Sequence, residues 1–169
     1  MSQLRIIRRE AIGQFANAVY TYRAQLYKVW LISPWIGSYT DGFVDPLQLM
    51  IDALRSSPSC VLNVITRTPQ KKAEYHRNAI KLLTDNVNPI LFYCESLHTK
   101  LYVIEADGMT AAILGSPNLT PGGNTANIEL ALELRATSLT TTNPVSSTLR
   151  DLVQYAHDLL NEDSVKLVA

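Results

Sequence analysis

His98, Lys100, Ser116 and Asn118 are the residues of this 169-residue chain whose types and spacing could do chemistry together. His98-Thr99-Lys100 opens an apolar run, Leu101 to Ile104. The turn sequence Asp107-Gly108 separates it from a second run, Ala111 to Leu114, which leads into Gly115-Ser116-Pro117-Asn118. Asp and Gly tolerate positive φ, so Asp107-Gly108 is a hairpin signal and the two runs read as antiparallel strands. Side chains two apart on a strand share a face. His98 and Lys100 are therefore expected to point one way at the start of the first strand, and Ser116 and Asn118 to share a face at the end of the second. Antiparallel pairing brings that start beside that end, so an imidazole, an ammonium, a hydroxyl and a carboxamide converge. The set suits a phosphate: Lys100, Asn118 and Ser116 are donors, and Gly115 lets a ligand approach the backbone closely. The neutral imidazole of His98 is a nucleophile suited to attack on a phosphodiester.

The two motifs together resemble the signature of the phospholipase D superfamily, His-x-Lys-x4-Asp followed by Gly-Ser-x-Asn. The family's Asp position falls here on Glu105, with Asp107 two residues late. The resemblance implies an α/β, phospholipase D-like fold and a phosphohistidine intermediate, with no metal and no cofactor. It also implies an acidic residue shortly after Gly-Ser-x-Asn that hydrogen-bonds the catalytic histidine, a role carried here onto Glu129. In members of this kind the loop after the first core strand commonly sits near the active site. That puts Ser33, Trp35 and Tyr39 beside the cleft, with Trp35 placed to stack a base.

One histidine attacking phosphorus cannot also protonate the departing oxygen on the far side. The superfamily supplies two His-x-Lys motifs, and this chain has one. A two-fold homodimer that faces His98 with its symmetry mate restores the pair. Small single-motif members are mostly nucleases or parts of restriction-type systems. The resemblance thus implies a nuclease acting on DNA or RNA, in phage defence or DNA modification, alone or within a larger complex. Two other readings stand beside it: a phosphodiesterase for phospholipid or another small diester, and a catalytically silent dimer that binds nucleic acid or a partner.

Composition sets the frame. A length of 169 residues with 47% hydrophobic content suits a single domain over 1–169 with a real core. Lys plus Arg and Asp plus Glu are both 15, so a nucleic-acid ligand needs a local basic patch and not a global field. Cys60 and Cys94 sit in apolar strand-like runs and read as buried free thiols. Neither CxxC nor paired His suggests zinc. Met1 to Glu10 is too charged for a signal peptide, and no apolar run approaches membrane-spanning length. The expectation is a cytoplasmic protein without membrane contact.

The elements that must position the site follow from periodicity. Arg5 to Tyr27 reads as a helix, with Ile12, Phe15, Ala16, Val19, Tyr22 and Leu26 on one face. Val29 to Ile36 reads as a buried strand ended near Ser33 by Pro34. Asp45-Pro46 caps a helix running to Arg55. Cys60 to Thr66 is a second buried strand, and a helix is expected over 70–85. Arg67, Lys71, Lys72, His76 and Arg77 form the densest basic cluster. It lies at the carboxyl end of a strand, where α/β sheets bind ligands, so Arg67 and Lys71 are candidate phosphate contacts. Pro89 to Cys94 is a third strand. Ile128 to Leu134 alternates strictly, which predicts Ile128, Leu130, Leu132 and Leu134 inward and Glu129 and Glu133 on the other face. Asn143-Pro144 caps a last amphipathic helix to about Asn161, where His157 reads as a surface or packing histidine. The order predicts a mixed β-sheet flanked by helices on both faces.

Overall fold

The computed structural model describes residues 1–38 and 45–168. Tyr39, expected beside the cleft, lies outside the described residues. The chain forms one eight-stranded sheet in the order β1-β7-β6-β5-β2-β3-β4-β8. Its strands are β1 (Ser2–Ile7), β2 (Leu26–Ile32), β3 (Val61–Thr66), β4 (Ile90–Tyr93), β5 (Leu101–Ala106), β6 (Met109–Gly115), β7 (Ala131–Ala136) and β8 (Lys166–Leu167). The helices are α1 (Ala11–Thr21), α2 (Pro46–Arg55), α3 (Glu74–Val87) and α4 (Pro144–Asp158).

Strands β2, β3 and β4 run parallel, joined by α2 and α3, while the remaining pairs are antiparallel. Alternation along β2 assigns the two faces. Val29 and Leu31 enter the larger core with Ile12, Phe15 and Val19 of α1 and with Leu47, Met50 and Ile51 of α2. Trp30 and Ile32 enter the opposite core with Leu149, Val153 and Ala156 of α4. Both faces of the central strand are covered, which is why it reads as an unbroken apolar run. Among the described residues no helix is long and apolar enough to cross a membrane.

Several expected elements hold closely. Asp45 accepts from the Leu47 amide with Pro46 in the first turn of α2. Asn143 accepts from the Ser146 amide at the start of α4 (3.1 Å). Gly108 takes φ 73° in the hairpin turn. Cys60 and Cys94 are free thiols, but only Cys94 is buried as expected; Cys60 is half-buried, enough to raise its thiol pKa to about 11.

Two expectations are corrected. The helix expected from Arg5 to Tyr27 is a strand, a break and a shorter helix. Ser2–Ile7 pairs with β7, Glu10 adopts φ 57°, and α1 ends at Thr21 before Leu26 opens β2. Arg5 is the cross-strand partner of Glu133 and ion-pairs with it (2.7 Å), and Arg135 binds the same carboxylate (2.6 Å). Glu133 is therefore buried and doubly paired.

The strand expected over Ile128 to Leu134 begins only at Ala131, so Ile128 (105% exposed) and Leu130 (57%) precede it. Within β7, Leu134 packs against α4 and is buried, whereas Leu132 is 37% exposed. Their neighbours on β1, Leu4 and Ile6, are exposed as well.

Candidate active site

The carboxyl ends of β2, β3 and β6 and the amino end of β5 meet at one edge of the sheet. Ile32 pairs with Leu101, and Leu101 pairs with Leu114. The residues just outside these pairs are Ser33, Lys100 and Gly115. Arg67 leaves the end of β3, whose Ile65 is the partner of Ile32. This is the edge at which open α/β sheets bind ligands.

His98 and Lys100 lie immediately before β5 and not within it. Lys100 Nζ donates to the His98 carbonyl (2.9 Å) and stands 3.4 Å from His98 Nδ1. The two side chains of the His-x-Lys motif are thus side by side, and His98 is exposed. Partial burial lowers the Lys100 pKa. Glu129 acts against that shift and the positive charge of Arg67 adds to it. Lys100 therefore feels the charge of both Glu129 and Arg67.

The Arg67 guanidinium donates from Nε to the Leu97 carbonyl (2.9 Å), one residue before His98. It also lies 5.6 Å from the centre of the Trp35 ring. Trp35 meets His76 edge-on at 5.4 Å. His76, expected on an exposed basic face, is fully buried. Its Nδ1 accepts from the Ile36 amide (3.1 Å), and its Nε2 is 3.0 Å from the Arg67 carbonyl. The imidazole thus clips the loop after β2 to the end of β3, and Trp35 supports Arg67. Lys71 is exposed in the turn before α3, and no hydrogen bond or ion pair joins its side chain to the motif among the described residues.

The Gly-Ser-x-Asn segment is held from several sides. Gly115 serves strand packing rather than ligand approach: a Cβ there would fall 2.3 Å from the Leu130 carbonyl oxygen. Ser116 Oγ donates to Glu129 Oε2 and accepts from the Leu130 amide (3.0 Å). Asn127 Nδ2 donates to Glu129 Oε1 (3.2 Å). This corrects the expected partner of Glu129, since its carboxylate is held by Ser116 and Asn127 and not by His98. It also commits the Ser116 proton, which was expected to reach a phosphate. The Asn118 amide oxygen is buried with no hydrogen-bond partner among the described residues, a condition that concentrates at functional positions.

Beneath the segment, Tyr102 donates to the Pro117 carbonyl (2.8 Å), and burial raises its phenol pKa. Ser33 Oγ accepts from the Leu119 amide (3.2 Å), and Gly37 N donates to the Leu119 carbonyl (2.7 Å). Tyr102 and His76 were not legible as site supports, because each acts through backbone carbonyls or amides that sequence spacing does not reveal. Glu105 stands at the other end of β5, opposite Thr110, where it accepts from the Trp30 indole (3.1 Å). It is a structural acceptor, about 16 Å along the strand from the motif at the usual rise per residue. His157 packs edge-on against the same Trp30 at 4.7 Å.

This edge and this sheet are those of the phospholipase D fold. Neither a protein-family model nor a curated protein sequence matches the chain. Among solved structures, the chain is similar to Nuc from Salmonella typhimurium, a phospholipase D family member. The TM-score is 0.72 at 10% identity, over 99% of each chain. It is similar to NucT from Helicobacter pylori, with TM-score 0.62 at 14% identity over 99% of this chain and 100% of that one. It also resembles TrmBL2, an archaeal chromatin protein with a novel mode of DNA binding. There the TM-score is 0.55 at 9% identity, over 98% of this chain and 54% of the other.

Proposed function

We propose that the chain is a metal-independent phosphodiesterase that cleaves nucleic acid as a homodimer. The observation that carries this reading is the exposed His98 lying against Lys100 at the sheet edge where β3 and β6, which lead into Arg67 and Asn118, also end. His98 attacks the phosphorus, a P–N bond forms and a P–O bond breaks. The departing oxygen takes a proton from His98 of the partner subunit. That second imidazole, now neutral, removes a proton from water, which attacks the phosphorus and breaks the P–N bond. Lys100 and Asn118 hold the non-bridging oxygens as charge develops on them. Glu129, anchored by Ser116 and Asn127, keeps negative charge near the Lys100 ammonium.

The exposed apolar strip supports the dimer. Ile6 and Leu132, both exposed, continue in register across the sheet to the half-buried Leu114 and the buried Leu101. This row ends at Leu101 and Leu114, the residues next to Lys100 and Gly115. A two-fold axis through the strip buries Ile6, Leu130 and Leu132 and brings the two copies of the site together.

The test is incubation of purified protein with plasmid, single-stranded DNA and RNA in EDTA. Cleavage that disappears in His98→Ala supports the reading. Retained binding without turnover points to a silent nucleic-acid binder. Hydrolysis confined to phospholipid vesicles points to a lipid diesterase.

A further inference from the structure

A cavity of about 660 Å³ opens beside the site, and its lining includes Ser116, Asn127 and Glu129 together with Arg8 and Arg9. Both arginines are exposed, and neither is hydrogen-bonded or ion-paired through its side chain among the described residues. Arg5, three residues earlier, is instead bound to Gln14 and Glu133.

The backbone that carries the two free guanidiniums is anchored. Gln14 Nε2 donates to the Arg9 carbonyl (3.2 Å), and the Glu10 amide donates to the Asn124 carbonyl (3.0 Å). Asn124 Oδ1 in turn accepts from the Gly13 amide (2.9 Å). Two guanidiniums unpaired among the described residues are thus held on an anchored loop in the lining of a cavity that the Ser116–Glu129 pair also lines. The one carboxylate in that lining, Glu129, already accepts from Ser116 and Asn127 and is ion-paired to neither arginine.

We infer that Arg8 and Arg9 bind backbone phosphates of a nucleic-acid strand on one flank of the scissile diester. The inference rests on the proposed phosphodiesterase site for the register of the strand, but not for the binding itself. A planar guanidinium presents paired donors that match phosphate oxygens, and a polymer offers one phosphate per nucleotide along a groove. Arg67, at the carboxyl end of β3, stands on the opposite side of the motif strands β5 and β6 from Arg8 and Arg9, which follow β1. A small diester spans only the centre and has no use for the outer pair.

The experiment measures binding of fluorescent 20-nucleotide DNA and RNA strands by anisotropy across a salt series, in a His98→Ala background that does not consume the probe. The double substitution R8Q/R9Q is expected to weaken binding about tenfold and to reduce the log–log salt slope by about 1.4, two phosphate contacts at about 0.7 each. R8K/R9K, which keeps the charge, is expected to retain most of the slope. Sedimentation of each variant is expected to match the parent. An unchanged salt slope overturns the inference. So does loss of the dimer, which would mean that the arginines face a second copy and not a ligand. Hydrolysis of bis(p-nitrophenyl) phosphate by the unmodified protein is read separately. Turnover there, with strand binding and its salt slope unchanged in R8Q/R9Q, sinks the inference alone, and an R8Q/R9Q binding defect without any diester turnover sinks the enzyme reading alone.

Discussion

Ser116 and Glu129 are joined side chain to side chain, and the Leu130 amide closes the arrangement by donating to Ser116 Oγ (3.0 Å). The acidic residue that follows the Gly-Ser-x-Asn motif is therefore positioned by the motif's own serine. Ser116→Ala leaves Glu129 with only Asn127 and the Leu130 amide without its hydroxyl acceptor. The expected cost is about 1 kcal/mol in chemical denaturation, because the pair is on the exposed edge. A fall in kcat larger than that in KM is also expected, and Ser116→Thr, which keeps the hydroxyl, should restore both.

Lys100 carries the clearest pH signature. Its pKa lies below the ordinary lysine value of 10.5, with burial the largest cause. If its ammonium holds the phosphate, activity falls on the alkaline side before that value. Arg67 disfavours the protonated form, so Arg67→Gln moves the alkaline limb to higher pH. Glu129 favours it, so Glu129→Gln moves the limb to lower pH. A kcat/KM profile whose alkaline limb ignores both substitutions assigns it to another group.

Gly115 tests the seam between β6 and β7. A Cβ at this position meets the Leu130 oxygen at 2.3 Å and Ala131 Cα at 2.7 Å, both backbone atoms that cannot swing away. Gly115→Ala is expected to destabilise the fold by about 1–3 kcal/mol, read from denaturation midpoints. Gly108, whose added Cβ meets nothing but whose φ is 73°, reports turn strain alone when changed to Ala.

The dimer is tested at its apolar strip. Ile6 and Leu132 are cross-strand neighbours, 60% and 37% exposed. Ile6→Asp with Leu132→Asp puts two carboxylates on a face that otherwise sheds water, at little cost to a monomer. Sedimentation is expected to show a monomer with native circular dichroism and with diester cleavage lost. A monomer that keeps full activity removes the shared-histidine scheme.

Much of this was legible in the chain because hairpin chemistry is local. Asp107-Gly108 specified the turn, and the turn placed Lys100 beside Gly115. The buried strands and the Asp45-Pro46 and Asn143-Pro144 caps were legible for the same reason. Long-range pairing was not. Nothing near Ser2–Ile7 signals that its partner is Ala131–Ala136, so Arg5 read as helical and its pairing with Glu133 was not legible. Strict alternation in Ile128 to Leu134 identified an apolar side but not the length of α4 that would cover it. Periodicity likewise placed His76 on a helix without showing that the facing loop supplies its hydrogen-bond partners.

The most direct measurement of the central claim is a rapid-quench turnover of an internally phosphate-labelled oligonucleotide in EDTA, followed by peptide mapping of the protein. The account predicts label bound to the protein through a P–N linkage at His98, acid-labile and stable to alkali, and neither label nor cleavage in His98→Ala. Cleavage that proceeds without protein-bound label, or that survives in His98→Ala, contradicts it.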